Sequence, residues 1–348
     1  MVILGIDAHK RTHTVVAIDE AGRKVGEKTT VTTTTEAHLD LVRWADRLGA
    51  KRRWAVEDCR HLSRRLEADL LAAGEEIVRV PPKLMAHARD AARTYGKSDP
   101  IDALAVGRAA LREPALPKAR LDGPSRELRL LVDHREDLVR DRTGHINRLR
   151  WHLHELDPSL DPAPRALTRF KQLDAVAVRL DQLQGTVVEV ARDLLGRIRE
   201  LTWSVNELER RILGQVRSLA PSLLQLPGVA ALTAAKILAE TADVRRFRSK
   251  DAFARHNGTA PLPVWSSNRV RHRLSRTGNR QLNAAIHRIA VTQMRIHDAA
   301  KAYLERRMGM GNTKTEALRA LKRKLSDVVY RALLADASSI EARVSEAA

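Results

Sequence analysis

The sequence predicts a mixed α/β domain at the amino-terminal end of the chain, followed by an all-α remainder. Three observations indicate this fold class: β-branched runs at the start, alternating helical and strand patterns after them, and leucines at helical spacing from about residue 124 onward. With 348 residues and 43% hydrophobic content, the chain can bury the cores of two or three domains.

The first region, residues 1–123, is predicted to contain three antiparallel strands and then helices and strands in alternation. The predicted elements are strands at 2–7, 12–19 and 24–33, a helix at 36–48, a strand at 53–57, a helix at 62–73 and a strand at 76–80. This order gives a mixed sheet flanked by helices. A ribonuclease-H-like arrangement is the obvious candidate.

The second region, residues 124–218, is predicted to form long helices on either side of a proline-rich break at 157–164. The apolar residues that define their seams are Leu128, Leu131, Leu138, Leu149, Leu153 and Leu156 before the break, and Leu180, Leu183, Val187, Val190, Leu194, Leu201, Leu208 and Ile212 after it. Such heptad-like seams favour a coiled coil, either within the chain as a helical hairpin or between chains. We favour pairing between chains.

The third region, residues 219–348, is predicted to be mostly helical around an arginine-rich loop segment. It opens with the sequence Leu-Pro-Gly-Val at 226–229, which resembles the hairpin of a helix-hairpin-helix element. Gly228 would let backbone amides approach a phosphate closely, although an ordinary helix-helix turn fits the same residues.

Composition favours a nucleic-acid partner. The 62 Lys and Arg exceed the 43 Asp and Glu, giving a net charge of +19. Cationic side chains that neutralise nucleic-acid phosphates release the counterions condensed on them, and this release favours binding. The sequence contains no apolar run of about 18 residues, so it predicts no membrane-spanning helix. The single cysteine, Cys59, excludes an intramolecular disulfide and a cysteine-cluster zinc site. We expect a cytoplasmic, nucleoid-associated protein.

Four carboxylates lie where strands end or a helix begins. Asp7 and Glu57 end predicted strands, and Asp99 and Asp102 open a predicted helix on one of its faces. Three of them also fit a structural role: a turn for Asp7, and helix capping and the positive helix end for Asp99 and Asp102. Together the four could hold two divalent ions, and their hard oxygen ligands favour Mg²⁺ or Mn²⁺. We assign no role to His9 or His13.

The arginine-rich segment carries a candidate nucleophile. Ser266 precedes arginines that could bind phosphates and stabilise transition-state charge, namely Arg269, Arg271, Arg273, Arg276 and Arg280. Generic backbone binding by these arginines is the alternative.

Together these segments resemble the DEDD-type insertion-sequence transposases, the family that includes the pilin-gene invertase and the bridge-RNA-guided recombinases. The resemblance covers almost the whole chain and rests on Gly-Ile-Asp-Ala-His-Lys at 5–10, Val-Glu at 56–57, Lys-Ser-Asp-Pro-Ile-Asp-Ala at 97–103, Leu-Pro-Gly-Val at 226–229 and Arg-Thr-Gly-Asn-Arg at 276–280. It implies a RuvC-like domain whose acid set is Asp7, Glu57, Asp99 and Asp102, and a C-terminal serine transposase domain.

The resemblance also implies a serine nucleophile, five residues after a proline, that forms a covalent phosphoserine intermediate. Counting from Pro261 gives Ser266, although Trp265 stands where serine is common and Ser267 where glycine is usual. Ser267 is therefore a second candidate. The family further implies donor and target DNA, a noncoding guide RNA, and a tetramer of two dimers with composite sites between protomers.

The leading hypothesis is a site-specific DNA recombinase or transposase. A second hypothesis keeps the metals and drops the serine, giving a junction nuclease that hydrolyses DNA with activated water. A third is a noncatalytic coiled-coil protein that binds nucleic acid.

Overall fold

The computed structural model describes residues 1–30, 32–58, 60–82, 84–85, 98–113, 115–120, 123–266, 269–273 and 278–347. The chain divides into two compact units, Met1–Leu121 and Asp122–Ala348. The further division of the second unit into a coiled-coil region and a C-terminal domain stays a prediction.

The first unit is built on a five-stranded mixed sheet. Its strands are β1 (Val2–Ala8), β2 (His13–Ile18), β3 (Lys24–Thr29), β4 (Arg52–Glu57) and β5 (Ile77–Val80), in the spatial order β3-β2-β1-β4-β5. The first three strands pair antiparallel, and β4 and β5 run parallel to β1. This is the ribonuclease-H-like order, so the predicted fold class is confirmed.

Helices cover both faces of this sheet. They are α1 (Thr35–Asp46), α2 (Arg60–Ala72) and α3 (Asp99–Arg112). Because side chains alternate along a strand, Leu4 and Ile6 of β1 pack in one core with α1 and α2, whereas Ile3 packs in another core with α3. The two cores fix which residues of β1 and β4 belong to each face.

The contact between α3 and β1 is a close backbone approach at Gly5. A Cβ atom on Gly5 would lie 2.1 Å from the carbonyl oxygen of Ala103 and 2.5 Å from the amide nitrogen of Gly107. No side chain fits in that space, so glycine is required for α3 to lie directly on β1. The contact holds the first turns of α3 beside the carboxyl end of β1.

A buried histidine pair lies on the opposite face of the sheet. The rings of His13 on β2 and His38 on α1 have centroids 5.2 Å apart, and both residues are almost fully buried. His38 Nδ1 and Asp69 Oδ2 are 2.6 Å apart. Burial, reinforced by nearby His38 and His9, lowers the pKa of His13 from 6.5 to about 4. His13 is therefore neutral in the folded protein at physiological pH.

We expect this histidine to make the first unit acid-sensitive. A pKa lowered from 6.5 to about 4 means that the unfolded chain binds the proton first as the pH falls. Stability is then lost progressively between pH 6.5 and pH 4, by about 3 kcal/mol in total at 1.36 kcal/mol per pKa unit. Urea unfolding across this range measures the loss, and His13→Gln should remove most of the pH dependence. An unchanged slope in that variant would contradict the assignment.

The second unit is largely helical. Its helices are α4 (Gly123–Leu156), α5 (Phe170–Leu180), α6 (Thr186–Leu219), α7 (Pro221–Leu224), α8 (Ala231–Thr241), α9 (Lys250–His256), α10 (Arg280–Ile296), α11 (Asp298–Gly309) and α12 (Lys314–Ala347). Two strands, β6 (Leu262–Ser266) and β7 (Arg269–Arg273), form an antiparallel hairpin between α9 and α10.

The long helices α4 and α6 pack against each other within the chain. Near one end of the pair, Leu128 and Ile212 share an apolar core; further along, Arg135 Nη2 donates to Glu209 Oε1 at 2.6 Å. Beyond that contact, Leu149 and Ile198 share a second core. The structure therefore shows the internal helical pair, and pairing between chains stays a prediction.

The predicted seam of the second helix is wrong in two respects. The apolar series runs across a break, because α5 ends at Leu180 and α6 begins only after Gly185. Val190, assigned to the seam, is 41% exposed, whereas Val188 and Ala191 are buried. Contacts with α4 and α5 select a buried face that the spacing of large apolar residues alone did not define. Among the described residues, no helix is both long and apolar enough to span a membrane.

Candidate active site

Asp7 and Glu57 lie side by side at one edge of the sheet. Strands β1 and β4 are parallel with Ile6 opposite Val56, so the next residue on each strand is the carboxylate. Strand alternation places both residues on the face of Gly5 and α3. Asp7 is 13% exposed in its side chain, and Glu57 is partly buried.

Helix α3 adds two more carboxylates at its amino-terminal end. Ser98 is the residue before the helix, so Asp99 is its first residue and not the cap that the sequence also allowed. Asp102, in the first turn, is buried and precedes Ala103, whose backbone packs against Gly5. The close contact with β1 thus holds Asp102 near the strand end that carries Asp7.

His9, to which we assigned no role from the sequence, joins the cluster. Its Nε2 atom lies 3.0 Å from Asp7 Oδ2 and 3.4 Å from Asp99 Oδ1. One ligand atom from each of Asp7, His9 and Asp99 lies within 4.8 Å of the others, a spacing suited to a metal ion. The available sequence signal was the two-residue step from Asp7, which places His9 on the same side of an extended chain.

The electrostatics of the cluster centre on Asp7. Burial raises the pKa of its carboxyl group, and the negative charges of Asp102 and Asp99 raise it further, while His9 opposes the shift by charge and hydrogen bonding. The ionised carboxylate is therefore costly in the protein alone. A divalent cation would offset that cost, so these carboxylates fit a divalent metal site, and its occupation by Mg²⁺ or Mn²⁺ stays a prediction.

The predicted nucleophile lies at the end of the β6–β7 hairpin. Ser266 is the last residue of β6 and pairs in register with Arg269. Arg269, Arg271 and Arg273 stand at alternate positions along β7. Ser267 and Arg276 lie outside the described residues. Arg280 is the exposed first residue of α10.

The base of this hairpin is held by tight backbone packing. A Cβ atom on Gly278 would lie 2.4 Å from the amide nitrogen of Gly258, so the two chain segments touch where the hairpin begins and ends. The amide of Asn279 donates to the carbonyl oxygen of His256 at 2.6 Å.

A buried polar network supports the same base. Asn257 Nδ2 donates to Ser326 Oγ at 2.8 Å, and Asn257 Oδ1 accepts from the Thr259 amide at 3.0 Å. Lys322 Nζ donates to Asn283 Oδ1 at 2.6 Å, and Asn283 Nδ2 donates to the Asn257 carbonyl at 2.7 Å. Burial, helped by the nearby charge of Arg319, lowers the pKa of Lys322. These bonds fix the position from which the hairpin extends.

Gly228 occupies a turn that is packed within the second unit. Its φ of +79° is in the left-handed region, and a Cβ atom there would lie 3.1 Å from Thr292 Cβ on α10. Gln293 Nε2 donates to the Pro227 carbonyl at 2.7 Å. The left-handed backbone and the close contact with α10 explain why position 228 is a glycine. A role of Gly228 in phosphate binding stays a prediction.

Two family models match separate parts of the chain. The model for the DEDD transposase of IS110, described as "Transposase", matches residues 4–158. The model described as "Transposase IS116/IS110/IS902 family" matches residues 220–305. The first match contains the acid cluster and the second contains the β6–β7 hairpin.

Relatives in insertion elements match along nearly the whole length. An uncharacterized 44.8 kDa protein of IS116 from Streptomyces clavuligerus is 29% identical over 95% of this chain and 94% of its own length. An uncharacterized 42 kDa protein of IS900 from Mycobacterium paratuberculosis is 27% identical, with 94% of each chain covered.

Among solved structures, T. thermophilus RuvC in complex with a Holliday junction substrate is 14% identical. The match covers 34% of this chain and 99% of RuvC, with a TM-score of 0.28. Another Thermus thermophilus RuvC structure is 16% identical over 34% of this chain, with a TM-score of 0.29.

The ribonuclease-H-like sheet and its edge of carboxylates define a nuclease-like class of protein. Both family models describe transposases, and the near full-length relatives come from insertion elements. The chain belongs to the insertion-element transposases of the IS110/IS116 family.

Proposed function

We propose that the protein is a site-specific DNA recombinase that cuts and rejoins DNA for its own mobile element through a phosphoserine intermediate. The observation that carries the proposal is the convergence of Asp7, Asp99 and Asp102 at the sheet edge, where burial and mutual repulsion raise the pKa of Asp7. Such clusters are typical of sites that bind metal and transfer phosphoryl groups.

In this proposal Ser266 attacks a DNA phosphorus atom. A bond forms between Ser266 Oγ and phosphorus, and the bond from phosphorus to one deoxyribose oxygen breaks. The metal-bound acids of another protomer would assist removal of the hydroxyl proton. Rejoining reverses these steps, with the free deoxyribose hydroxyl of another strand attacking the phosphoserine.

Asp7, Glu57, Asp99 and Asp102 would hold the divalent ions, Mg²⁺ or Mn²⁺. The ions would stabilise negative charge on the reacting phosphate and the leaving oxygen. Arg269, Arg271 and Arg273 would position the phosphates, with Arg276 and Arg280 beside them.

The proposed partners are donor and target DNA and a noncoding guide RNA from the element's flank. The net charge of +19 supports binding of extended polyanions. Base pairing by the RNA would supply the sequence choice that a backbone-binding protein surface lacks. We propose assembly as a dimer to tetramer in the bacterial cytoplasm, associated with the nucleoid.

A metal-dependent junction nuclease is the second candidate. The observation that favours it is that Asp7, Asp99 and Asp102, with Glu57 beside Asp7, all lie within the first unit. In that reaction water attacks the phosphate, and the protein forms no bond to DNA.

Covalent trapping separates the two candidates. Wild type, Ser266→Ala and Ser267→Ala are incubated with labelled element-end DNA, Mg²⁺ and flank RNA, then denatured and resolved by electrophoresis. We expect a denaturant-resistant adduct in wild type and Ser267→Ala, and none in Ser266→Ala, because only Ser266 supplies the attacking oxygen.

Each other outcome has a defined meaning. Strand cleavage without any adduct supports the junction nuclease. An adduct lost in Ser267→Ala moves the nucleophile by one residue. An Asp102→Asn variant that processes DNA like wild type would reject both catalytic candidates in favour of a noncatalytic binding protein.

A further inference from the structure

A cavity of about 490 Å³ lies at the far end of the helical pair from the α8 and α10 core. It lies where the loop between α4 and α5, residues 157–169 and here named the tip loop, meets one face of α5. Its polar lining is basic, with Arg165 and Arg169 from the tip loop and Gln172 and Arg179 from α5. No carboxylate lines it.

The cavity is built by a firmly held loop. Leu160 and Leu167 are buried in the apolar core beneath it. Arg150 donates two hydrogen bonds to Asp161, at 2.8 and 2.7 Å. Arg179 donates to the carbonyl and hydroxyl oxygens of Ser159, at 2.8 and 2.9 Å. These contacts prepare the cavity before any ligand binds.

The acidic residues of the tip loop bind partners other than Arg165 and Arg169. Asp157 accepts from the Ser159 amide and hydroxyl at 2.7 and 2.8 Å, and Asp161 binds Arg150. Within the described part of the chain, Arg165 and Arg169 form no ion pair with a carboxylate. Arg165 moreover has a φ of +68°, in the left-handed region. The first turn of α5 carries no acidic residue that would neutralise its positive end.

We infer that this cavity binds a phosphate of a nucleic-acid backbone through Arg165 and Arg169. Guanidinium groups match phosphate geometry by forming paired hydrogen bonds, and a cavity without carboxylates does not repel an anion. The end of the helical pair would then be a nucleic-acid contact distant in sequence from the acid cluster and the serine hairpin. This inference rests on the proposed function as a DNA and RNA processing enzyme.

The test is the salt dependence of binding by the full-length protein without divalent ions. Fluorescence anisotropy with labelled duplex DNA and flank RNA compares wild type with Arg165→Gln/Arg169→Gln. The matched control is Arg140→Gln/Arg197→Gln, which removes the same charge from α4 and α6, where both arginines are paired with Asp137 and Asp193.

We expect the Arg165→Gln/Arg169→Gln variant to bind several-fold more weakly than the control. On duplex DNA its slope of log K against log salt should be shallower by roughly 1, because the loss of one phosphate contact reduces the slope by about 0.9. Equal slopes for the two variants would overturn the inference. If the two variants had equal slopes, and inorganic phosphate raised the unfolding temperature of wild type but not of Arg165→Gln/Arg169→Gln, the cavity would be assigned to free phosphate instead.

The failure of the proposed function would look different. If wild type itself bound neither duplex DNA nor flank RNA, the transposition proposal would fail before the cavity was tested. If wild type bound and cleaved DNA while both double variants matched it, only the cavity inference would fail.

Discussion

Asp7→Asn is expected to remove DNA cleavage and, without divalent ions, to stabilise the first unit. Loss of a carboxylate ligand that supports transition-state charge stabilisation worth several kcal/mol should slow strand cleavage by roughly 10³-fold or more. The raised pKa of Asp7 means that its stabilising contribution is present at low pH and is lost as the pH rises through the folded-state pKa. Asparagine avoids that cost at neutral pH. Thermal unfolding and cleavage assays measure the two changes.

Divalent ions supply the internal control for this prediction. Mg²⁺ should raise the unfolding temperature of wild type, because it binds the folded cluster and not the unfolded chain. The same addition should leave Asp7→Asn nearly unchanged. A matched variant, Asp40→Asn, removes an exposed carboxylate that pairs with Arg43 and should alter neither property. If Asp7→Asn lowered stability without metal, Asp7 would be a structural residue and not a metal ligand.

The strands and helices of the first unit could be predicted because its pattern is local. Apolar runs separated by turn residues predicted all five strands. The third strand was predicted to reach residue 33 but ends at Thr29, where the amide of Thr30 donates back to the His13 carbonyl at 2.9 Å. The third strand pairs with β2, which begins at His13, so its end depends on its partner strand and not on its own composition.

The sequence could predict only those site residues whose proximity follows directly from strand ends or helical spacing. Ends of parallel strands meet at one edge, which brought Asp7 and Glu57 together, and helical spacing joined Asp99 to Asp102. His9 was missed because its bond to Asp7 depends on how the β1–β2 turn directs the ring. The tip-loop cavity was missed because residues on α5 and before it converge only through the folded loop.

The energetic cost of ionising Asp7 in the acid cluster is explained by the proposed binding of a cation. Selection for stability alone would not place Asp99 and Asp102 beside the half-buried Asp7, because both negative charges raise the pKa of Asp7. His9 offsets part of the repulsion in the protein alone. The arrangement is explained if a cation completes the site, and the stability of the first unit then depends on cation binding.

Gly5→Ala is expected to unfold the first unit or to displace α3. The added methyl group would lie 2.1 Å from the Ala103 carbonyl and 2.5 Å from the Gly107 amide, and both are backbone atoms that no side-chain rotation can move. We expect a loss of about 3 kcal/mol or more in the free energy of unfolding. Cleavage should fall with it, because the movement of α3 separates Asp102 from Asp7. Urea unfolding of the first unit measures the change.

Gly107→Ala is the matched control, because it faces Gly5 across the same contact. Its methyl group would lie 3.3 Å from the flexible Cδ1 of Ile18, and the helix itself gains from alanine. We expect this variant to remain within about 1 kcal/mol of wild type and to keep its cleavage activity. A Gly5→Ala protein as stable as Gly107→Ala would show that α3 does not need direct contact with β1, and the position of Asp102 would require another explanation.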